Sequence, residues 1–465
     1  MHPARTLYRS LLQVGKALVR SVAFLPVPMM ISGLLFGVGL YYLEKNTGAT
    51  DYFKEILPSV VVSSQSTARS TLGLFVAGLL TLVVFTFTQM MTLYNQVANT
   101  YSPRLLQQFT GARSLQSTMG FYLGTMLMNL IVMLSIGSDG SGKVPLLSVL
   151  ICIAADMISV MLFVYFVATA SNKIHADSII MNTYELGRKY LKEELALEGF
   201  EEREHFPDTR RWYAIPTPID GFIGSIAHHD LSDLAADFNT RFYIGSVKGE
   251  YIPRSFPVIE SERELSEEQT EQVIKLVSPV SRKYHDWHLP QLELLVEIAM
   301  KAMSPGINDP GTAHTAIDRI NGMLGHMMYI PNYNFVQSAE GGEVWFARKS
   351  YTRIVQETFI QLRNYSRQDT MVTRGLIKVV FQLIGGSDHN QELKRYLRDE
   401  LLALVADARA HIPNAHDRSL LARDIFRWRR RTYELLQLTP MINDKGMEET
   451  GIPLADKKVS AKPLA

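Results

Sequence analysis

Asp156 is the single acidic residue inside the four longest apolar stretches of this chain. An ionised carboxylate at such depth in a bilayer costs at least ~3 kcal/mol, so it must be neutral, paired or in contact with water. Two chemistries fit that demand: holding a proton or cation, or a hydrogen bond that glues two helices. Asn129, at similar depth in the preceding stretch, is a partner for either. Gln89 adds an amide in the second stretch, beside Thr71, Thr81, Thr86, Thr88, Thr92 and Asn95. Those hydroxyls and amides either bond back to their own helix and its neighbours or line a wet face.

A second group is His285, Asp286 and His288, followed by Asp309, His314 and Asp318. His314 and Asp318 are spaced to share one face of a helix. Imidazole with carboxylate is a zinc donor set, yet the spacing lacks a diagnostic H-E-x-x-H pattern, and solvated or helix-capping roles are the alternative. His228 and His229, before Asp230, sit where a helix should begin. A third group, Arg423, Arg427, Arg429, Arg430 and Arg431, lies beside Phe426 and Trp428. It is either a solvated face paired to acids or a contact with anionic lipid heads, which adds about 1 kcal/mol per basic residue.

The elements that must position these residues follow from hydropathy. A hydrocarbon core of about 30 Å needs about 20 apolar helical residues, and Val22 to Leu43, Thr71 to Leu93, Thr118 to Ile136 and Val144 to Ala170 each qualify. The first is not a cleaved leader. It outruns the usual apolar core of about 7 to 15 residues, and it ends in Tyr41, Tyr42, Leu43 and Glu44 rather than in small residues. Gly33 with Gly37, and Gly120 with Gly124, are small-xxx-small pairs that allow close helix packing.

Averages conceal this organisation: over 465 residues the chain is 47% hydrophobic and 20% charged, with mean hydropathy +0.02. A net charge of +1 gives no field for nucleic acid, and no nucleic-acid partner is expected. The lone Cys152 excludes an internal disulfide. Lys and Arg near the spans are richer on one side (Arg5, Arg9, Lys16, Arg20, then Arg104 and Arg113, then Lys173, Arg188, Lys189 and Lys192) than on the other (Lys45, Lys54, Arg69 and Lys143). The bias places both termini in the cytoplasm.

The expected organisation is a basic segment at 1–21, a four-helix transmembrane domain at 22–172, a helical connector at 173–206, a small β-rich module at 207–262, a helical domain at 263–440 and a disordered tail at 441–465. The fold class is thus membrane α-helical followed by a soluble α+β region. Within the β-module, runs near Gly221, Arg241, Tyr251 and Phe256 alternate with turn glycines around a helix from Asp230 to Phe238. Further helices are predicted at Glu267–Val277, Pro290–Met303, Pro310–Ile330, Ser350–Arg367, Thr370–Ile384, Asn390–His411 and Asp417–Leu438, leaving 331–349 unassigned. Ser266 with Gln269 reads as a capping box.

Between two of those helices lies Lys301-Ala-Met-Ser-Pro-Gly-Ile-Asn-Asp-Pro-Gly-Thr-Ala313. Pro305 and Gly306 stop one helix; Asp309 caps the next, with Pro310 in its first turn. This segment resembles the signature of the domain-of-unknown-function 2254 family, predicted bacterial membrane proteins whose pattern reads roughly A-L-S-P-G-I-N-D-P-x-T-A. Its Ser304, Pro305, Gly306, Asn308, Asp309 and Pro310 match, and Ser102, Pro103 and Arg104 resemble the family's S-P-R-L-L-x-x-F element after the second span. The chain departs where relatives carry R-T-x-x-Q-D, having Arg282-Lys-Tyr-His-Asp-Trp-His instead, and at Gly311, where an aromatic is common. The resemblance implies a bacterial inner-membrane location and a fold, and carries no activity.

More loosely, the β-module resembles the hairpins of biotinyl-lipoyl-like barrels, with Gly249-Glu-Tyr-Ile in place of the recurring turn. No lysine is flanked by methionines on both sides, so no cofactor is expected. The expected function is a channel-like or transport-linked, self-associating protein in contact with the lipid bilayer. Four helices offer few walls for a pore, so a pathway is expected where subunits meet. The competing readings are a membrane-anchored sensor or scaffold binding through its β-module, and a membrane-tethered hydrolase. The hydrolase has neither nucleophile elbow, phosphate loop nor metalloprotease motif to build on.

Overall fold

The computed structural model describes residues 24–47, 64–106, 113–137, 144–173, 175–196, 198–218, 220–280, 287–387 and 390–436. The basic segment at 1–21, Lys54, Lys143, His285, Asp286 and the tail at 441–465 lie outside the described residues. The chain divides into two compact units, Met1–Ile179 and Ile180–Ala465.

Among the described residues of the first unit, four helices are long and apolar enough to cross a membrane. They are α1 (Pro26–Thr47), α2 (Gln65–Thr100), α3 (Arg113–Ser135) and α4 (Leu146–Lys173), with a 3-10 turn at Pro103–Leu105 after α2. Large apolar side chains face outward, among them Leu35, Leu74, Leu134 and Val164. In water such a surface would be an aggregation hazard, whereas lipid tails solvate it. Helix α3 is the most enclosed, packing against the other three.

Its contact with α1 explains the two glycine pairs. A Cβ on Gly33 would lie 2.3 Å from the Gly124 carbonyl oxygen, and one on Gly124 would lie 2.7 Å from the Met29 oxygen. The paired motifs therefore pack on each other, backbone against backbone. At one end of the bundle two charges satisfy helix termini. Glu44 accepts from the backbone N–H of Leu147 (3.0 Å) and Ser148 (3.1 Å), and Arg69 donates to the Ile136 carbonyl. Both therefore hold the bundle end together, through the unpaired backbone groups that every helix terminus presents.

The second unit begins with most of α5 (Ala176–Leu195). Among its described residues nine short strands follow between the helices: β1 Phe200–Glu201, β2 Tyr213–Pro216, β3 Gly221–Ile226, β4 Arg241–Ile244, β5 Tyr251–Ile252, β6 Pro257–Ser261, β7 Val277–Val280, β8 Phe335–Gln337 and β9 Glu343–Phe346. Six form a sheet in the order β1-β8-β9-β4-β6-β2, and three form another, β5-β3-β7. All pairings are antiparallel except β4 with β9, which run parallel with Tyr243 opposite Trp345. That pairing sets the sheet apart from a barrel of hairpins. The sheet also draws strands from both flanks of 207–262. Its core joins Ile215, Ile223, Leu231, Phe242, Val336 and Val344.

The helices are α6 (His228–Asp237), α7 (Glu267–Leu276), α8 (His288–Ala302), α9 (Pro310–Met327), α10 (Tyr351–Ser366), α11 (Thr370–Gly386), α12 (Gln391–His411) and α13 (Ala415–Leu436). Side-chain caps set several starts. Ser266 and Gln269 form the full capping box on α7, Asp369 accepts from Val372 N (2.8 Å), and Asn390 accepts from Leu393 N (2.9 Å). Each such cap stabilises its helix by about 1 kcal/mol.

Candidate functional site

Polar residues recur down the buried face of α3. Thr118, Tyr122, Thr125 and Asn129 are all buried, and their spacing keeps them on one stripe of a helix. Opposite them, α4 buries Asp156 and Ser159, and α2 buries Thr86. The Asn129 amide donates to both oxygens of Asp156, at 2.9 and 3.1 Å. The two residues expected to meet do meet.

Three further atoms lack partners: Thr86 Oγ1, Tyr122 Oη and Asn129 Oδ1 are buried and make no hydrogen bond to the protein. An unsatisfied buried polar group costs about 1–3 kcal/mol, so each is a place where water or a ligand is stabilised. Ser159 instead bonds back to the Ala155 carbonyl at 2.9 Å. So do exposed Thr81, Thr88 and Thr92 to carbonyls of their own helix. Most hydroxyls of the second span are thus ordinary helix hydroxyls, and Thr86 is the exception. Gln89 is half-buried, one turn from Thr86.

Apolar clusters close this polar layer at both ends. One contains Leu72, Met128, Val132, Val149 and Cys152, the other Met90, Tyr94, Met119 and Phe166. On α2 and α4 the buried Thr86, Asp156 and Ser159 fall between the two clusters, as Tyr122 and Thr125 do on α3, while Asn129 sits among the residues of the first cluster and Thr118 lies just beyond Met119 of the second. The result is a buried polar layer within the bundle, flanked by apolar clusters, with Thr125 also lining a cavity of about 350 Å³ beside Gly33 and Ala155.

The signature segment forms the corner between α8 and α9. The Asp309 N–H donates to the Ala302 carbonyl (2.7 Å), and the N–H groups of Ile307 and Asn308 donate to Ser304 O. Asn308 adopts φ +46, a left-handed value that asparagine tolerates better than most residues. Asp309 accepts from Thr312 N (3.1 Å) and from the Thr312 hydroxyl (2.6 Å), capping α9 ahead of Pro310. Those bonds, the hydroxyl's first, hold its carboxyl below the usual range.

Gly306 differs from its neighbours in the corner. Its φ lies outside the left-handed region and a Cβ there would meet nothing within 4 Å. Gly306→Ala is therefore expected to change stability by less than about 0.5 kcal/mol, and Asp309→Ala to lower it by about 1 kcal/mol. Chemical denaturation of the two variants checks both values. Equal losses would show that the glycine matters for a reason other than backbone geometry. After α2, Ser102 accepts from Arg104 N at 3.1 Å and starts the 3-10 turn at Pro103.

The histidines separate. His314 Nδ1 lies 4.0 Å from Asp318. His288 is buried, with Nδ1 2.5 Å from Glu194 Oε2 but not aligned for a hydrogen bond. Glu194 also binds the Arg348 guanidinium. Among the described residues no group of three His, Cys, Asp or Glu side chains could hold a metal. On α13, Arg427 pairs with Asp424 at 3.6 Å, while Arg423, Arg430 and Phe426 are exposed.

Burial, then the charge of Lys248, pushes His288 down to about 3. Burial, then His229 and Lys248, pushes His228 down to about 4. An unfolded imidazole titrates near about 6.5, so the unfolded chain takes up protons that the folded chain refuses below that pH. Stability is full above about pH 6.5 and falls progressively towards about pH 4. All four tryptophans lie beyond Ile180, so their fluorescence reports unfolding of this unit. Its midpoint temperature should drop between pH 7.5 and pH 5, and His228→Asn should shrink the drop. An undiminished drop in that variant would remove His228 from the account.

The Glu194–Arg348 pair and the Tyr122 stripe escape the motif reading. The stripe had a signal, polar residues at helical spacing within an apolar run. The pair had none, because its members come from α5 and from the chain after β9.

Four apolar helices with a buried acid–amide pair, followed by a soluble α+β region, define a multi-span membrane protein. The chain belongs to the domain-of-unknown-function 2254 family, described as a predicted membrane protein, whose profile matches residues 19–381. No curated protein and no solved structure matches it.

Proposed function

We propose that this protein is a transport-linked protein of the bacterial inner membrane that binds a proton or small cation at Asp156, with both termini in the cytoplasm. The observation that carries the reading is the buried Asp156–Asn129 pair, within a layer that also holds three unpartnered polar atoms. A helix bundle meant only to span lipid gains nothing from such groups, since apolar side chains of equal size pack there at lower cost. The apolar clusters that flank Asp156 and Thr86 suit a site reached by turns from either side rather than an open pore. The cytoplasmic termini are supported by the Lys and Arg excess on the flanks of one side.

Proton and monovalent-cation flux into proteoliposomes tests the proposal. Asp156→Asn keeps size and hydrogen bonding but removes the ionisable group, so it should abolish flux while the protein still assembles. Asp156→Leu should do the same and also loosen the bundle by roughly 1 kcal/mol. Parent protein that conducts no better than empty vesicles, or flux unchanged in both variants, would overturn the reading in favour of a membrane-anchored scaffold.

A further inference from the structure

Buried polar groups lie to one side of Asp156 and almost none to the other. Leu72, Val132 and Cys152 meet in one apolar cluster, Met90, Met119 and Phe166 in the second, which orders the residues of α2, α3 and α4 by level along the bundle. Asn129 and Asp156 stand at or next to the first cluster. Thr125, Ser159, Tyr122 and Thr86 follow towards the second, and Thr118 and Gln116 are buried just beyond it. In the opposite direction, among the described residues of these three helices, the one buried polar side chain is Ser148, which Glu44 holds.

We propose that Tyr122 and Thr86 hold internal water that connects Asp156 to the end of the bundle where α2 stops and α3 starts, so that this conformation exchanges its ion with that side alone. The direction of exchange rests on ion binding at Asp156, whereas the water-holding role of Tyr122 and Thr86 does not. With both termini in the cytoplasm, that end is the cytoplasmic one.

Three observations carry the assignment. The hydroxyls of Tyr122 and Thr86 are fully buried and have no hydrogen-bond partner in the protein, a cost that a bridging water removes. Asn129 Oδ1 is a third such atom on the same side-chain stripe, its amide nitrogen being spent on Asp156. From residue 122 to residue 129 the helix rises about 10 Å, too far for a direct hydrogen bond. A chain of a few waters about 2.8 Å apart spans it, passing Thr125 one turn from each. Finally, the barrier on this side includes Met90 and Met119, whose unbranched side chains change rotamer readily, and polar residues resume behind it.

X-ray hydroxyl-radical footprinting of full-length protein in lipid nanodiscs tests for the water, because radicals form from water inside the protein and oxidise what it touches. Tyr122 should be oxidised about as fast as the exposed Tyr329, although it is fully buried. Cys152, a more reactive side chain that is equally buried on the apolar side, should stay unmodified. Thr86→Val keeps the shape and removes only the hydroxyl, so it should slow Tyr122 oxidation severalfold. In proteoliposomes, Thr86→Val and Tyr122→Phe should each slow flux about fivefold, as for one lost hydrogen bond. Tyr122 as protected as Cys152, Cys152 oxidised as fast as Tyr122, or Tyr122 oxidation unchanged by Thr86→Val would overturn the proposal. Oxidised Tyr122 in a protein without flux would sink transport and leave the water, and flux past a protected Tyr122 would do the reverse.

Discussion

Gly342→Ala is expected to destabilise the soluble unit by more than about 3 kcal/mol, beyond the usual range for overpacking. A Cβ at this position would lie 2.0 Å from the Ser232 carbonyl oxygen and 2.4 Å from the Ala236 backbone nitrogen. Both obstacles are backbone atoms of α6, so no side-chain rotation relieves them. The turn between β8 and β9 must move off the helix, and the move would break the packing of Leu231 and Leu234 in the shared core. Gly325→Ala is the control. That residue lies within α9, nothing stands within 4 Å of its would-be Cβ, and alanine is the better helix former by about 1 kcal/mol. Denaturant melts followed by tryptophan fluorescence should separate the two variants by several kcal/mol. Similar midpoints would mean that the β8–β9 turn does not dock on α6 as described.

Glu194→Ala should be nearly as damaging. The carboxylate binds the Arg348 guanidinium and stands against His288, with side-chain exposures of 16% for Glu194, 21% for Arg348 and 3% for His288. Removing it leaves a largely desolvated guanidinium without its counter-charge. Breaking a fully buried pair costs about 3–5 kcal/mol, and the residual exposure here lowers the expectation to about 2–3 kcal/mol. Burial already draws the Arg348 guanidinium down to about 10, so the group has little hydration to fall back on. Replacing the pair by Glu194→Leu with Arg348→Met should recover most of the loss, because two apolar side chains satisfy each other. A double variant no better than the single one would show that Arg348 has another acid within reach.

Much of the architecture was legible in local sequence. The membrane helices follow from unbroken apolar runs, and the soluble helices from apolar periodicity with capping residues such as Ser266 and Asp309. Their observed bounds fall within a few residues of those expected, apart from longer ends on the second span, where polar residues continue the helix beyond the apolar stretch. Short strands were less legible. Phe335-Val-Gln and Glu343-Val-Trp-Phe are too brief to show a period, and they are strands because β4 and β1 pair with them. The same distinction holds for the site. Asp156 and Asn129 could be paired from hydropathy because depth in a membrane is a shared coordinate, readable along each helix. Glu194 and Arg348 share no such coordinate, and only the folded chain brings them together.

The parallel pairing of β4 with β9 also sets a timetable for synthesis. Strand β4 ends at Ile244, and its neighbour on one side begins at Glu343. On a ribosome adding about 5–20 residues per second, the intervening stretch takes roughly 5–20 seconds to appear. Through that interval β4 has β6 on one edge and nothing on the other, a bare edge of the kind that recruits strands from other chains. The helices α8 and α9 emerge in the meantime, and the corner at Ser304–Pro310 lets them fold back as a local pair. Nascent chains interrupted before Glu343 would therefore carry a finished helical hairpin beside an unfinished sheet, which makes this stretch the point where a chaperone is most needed.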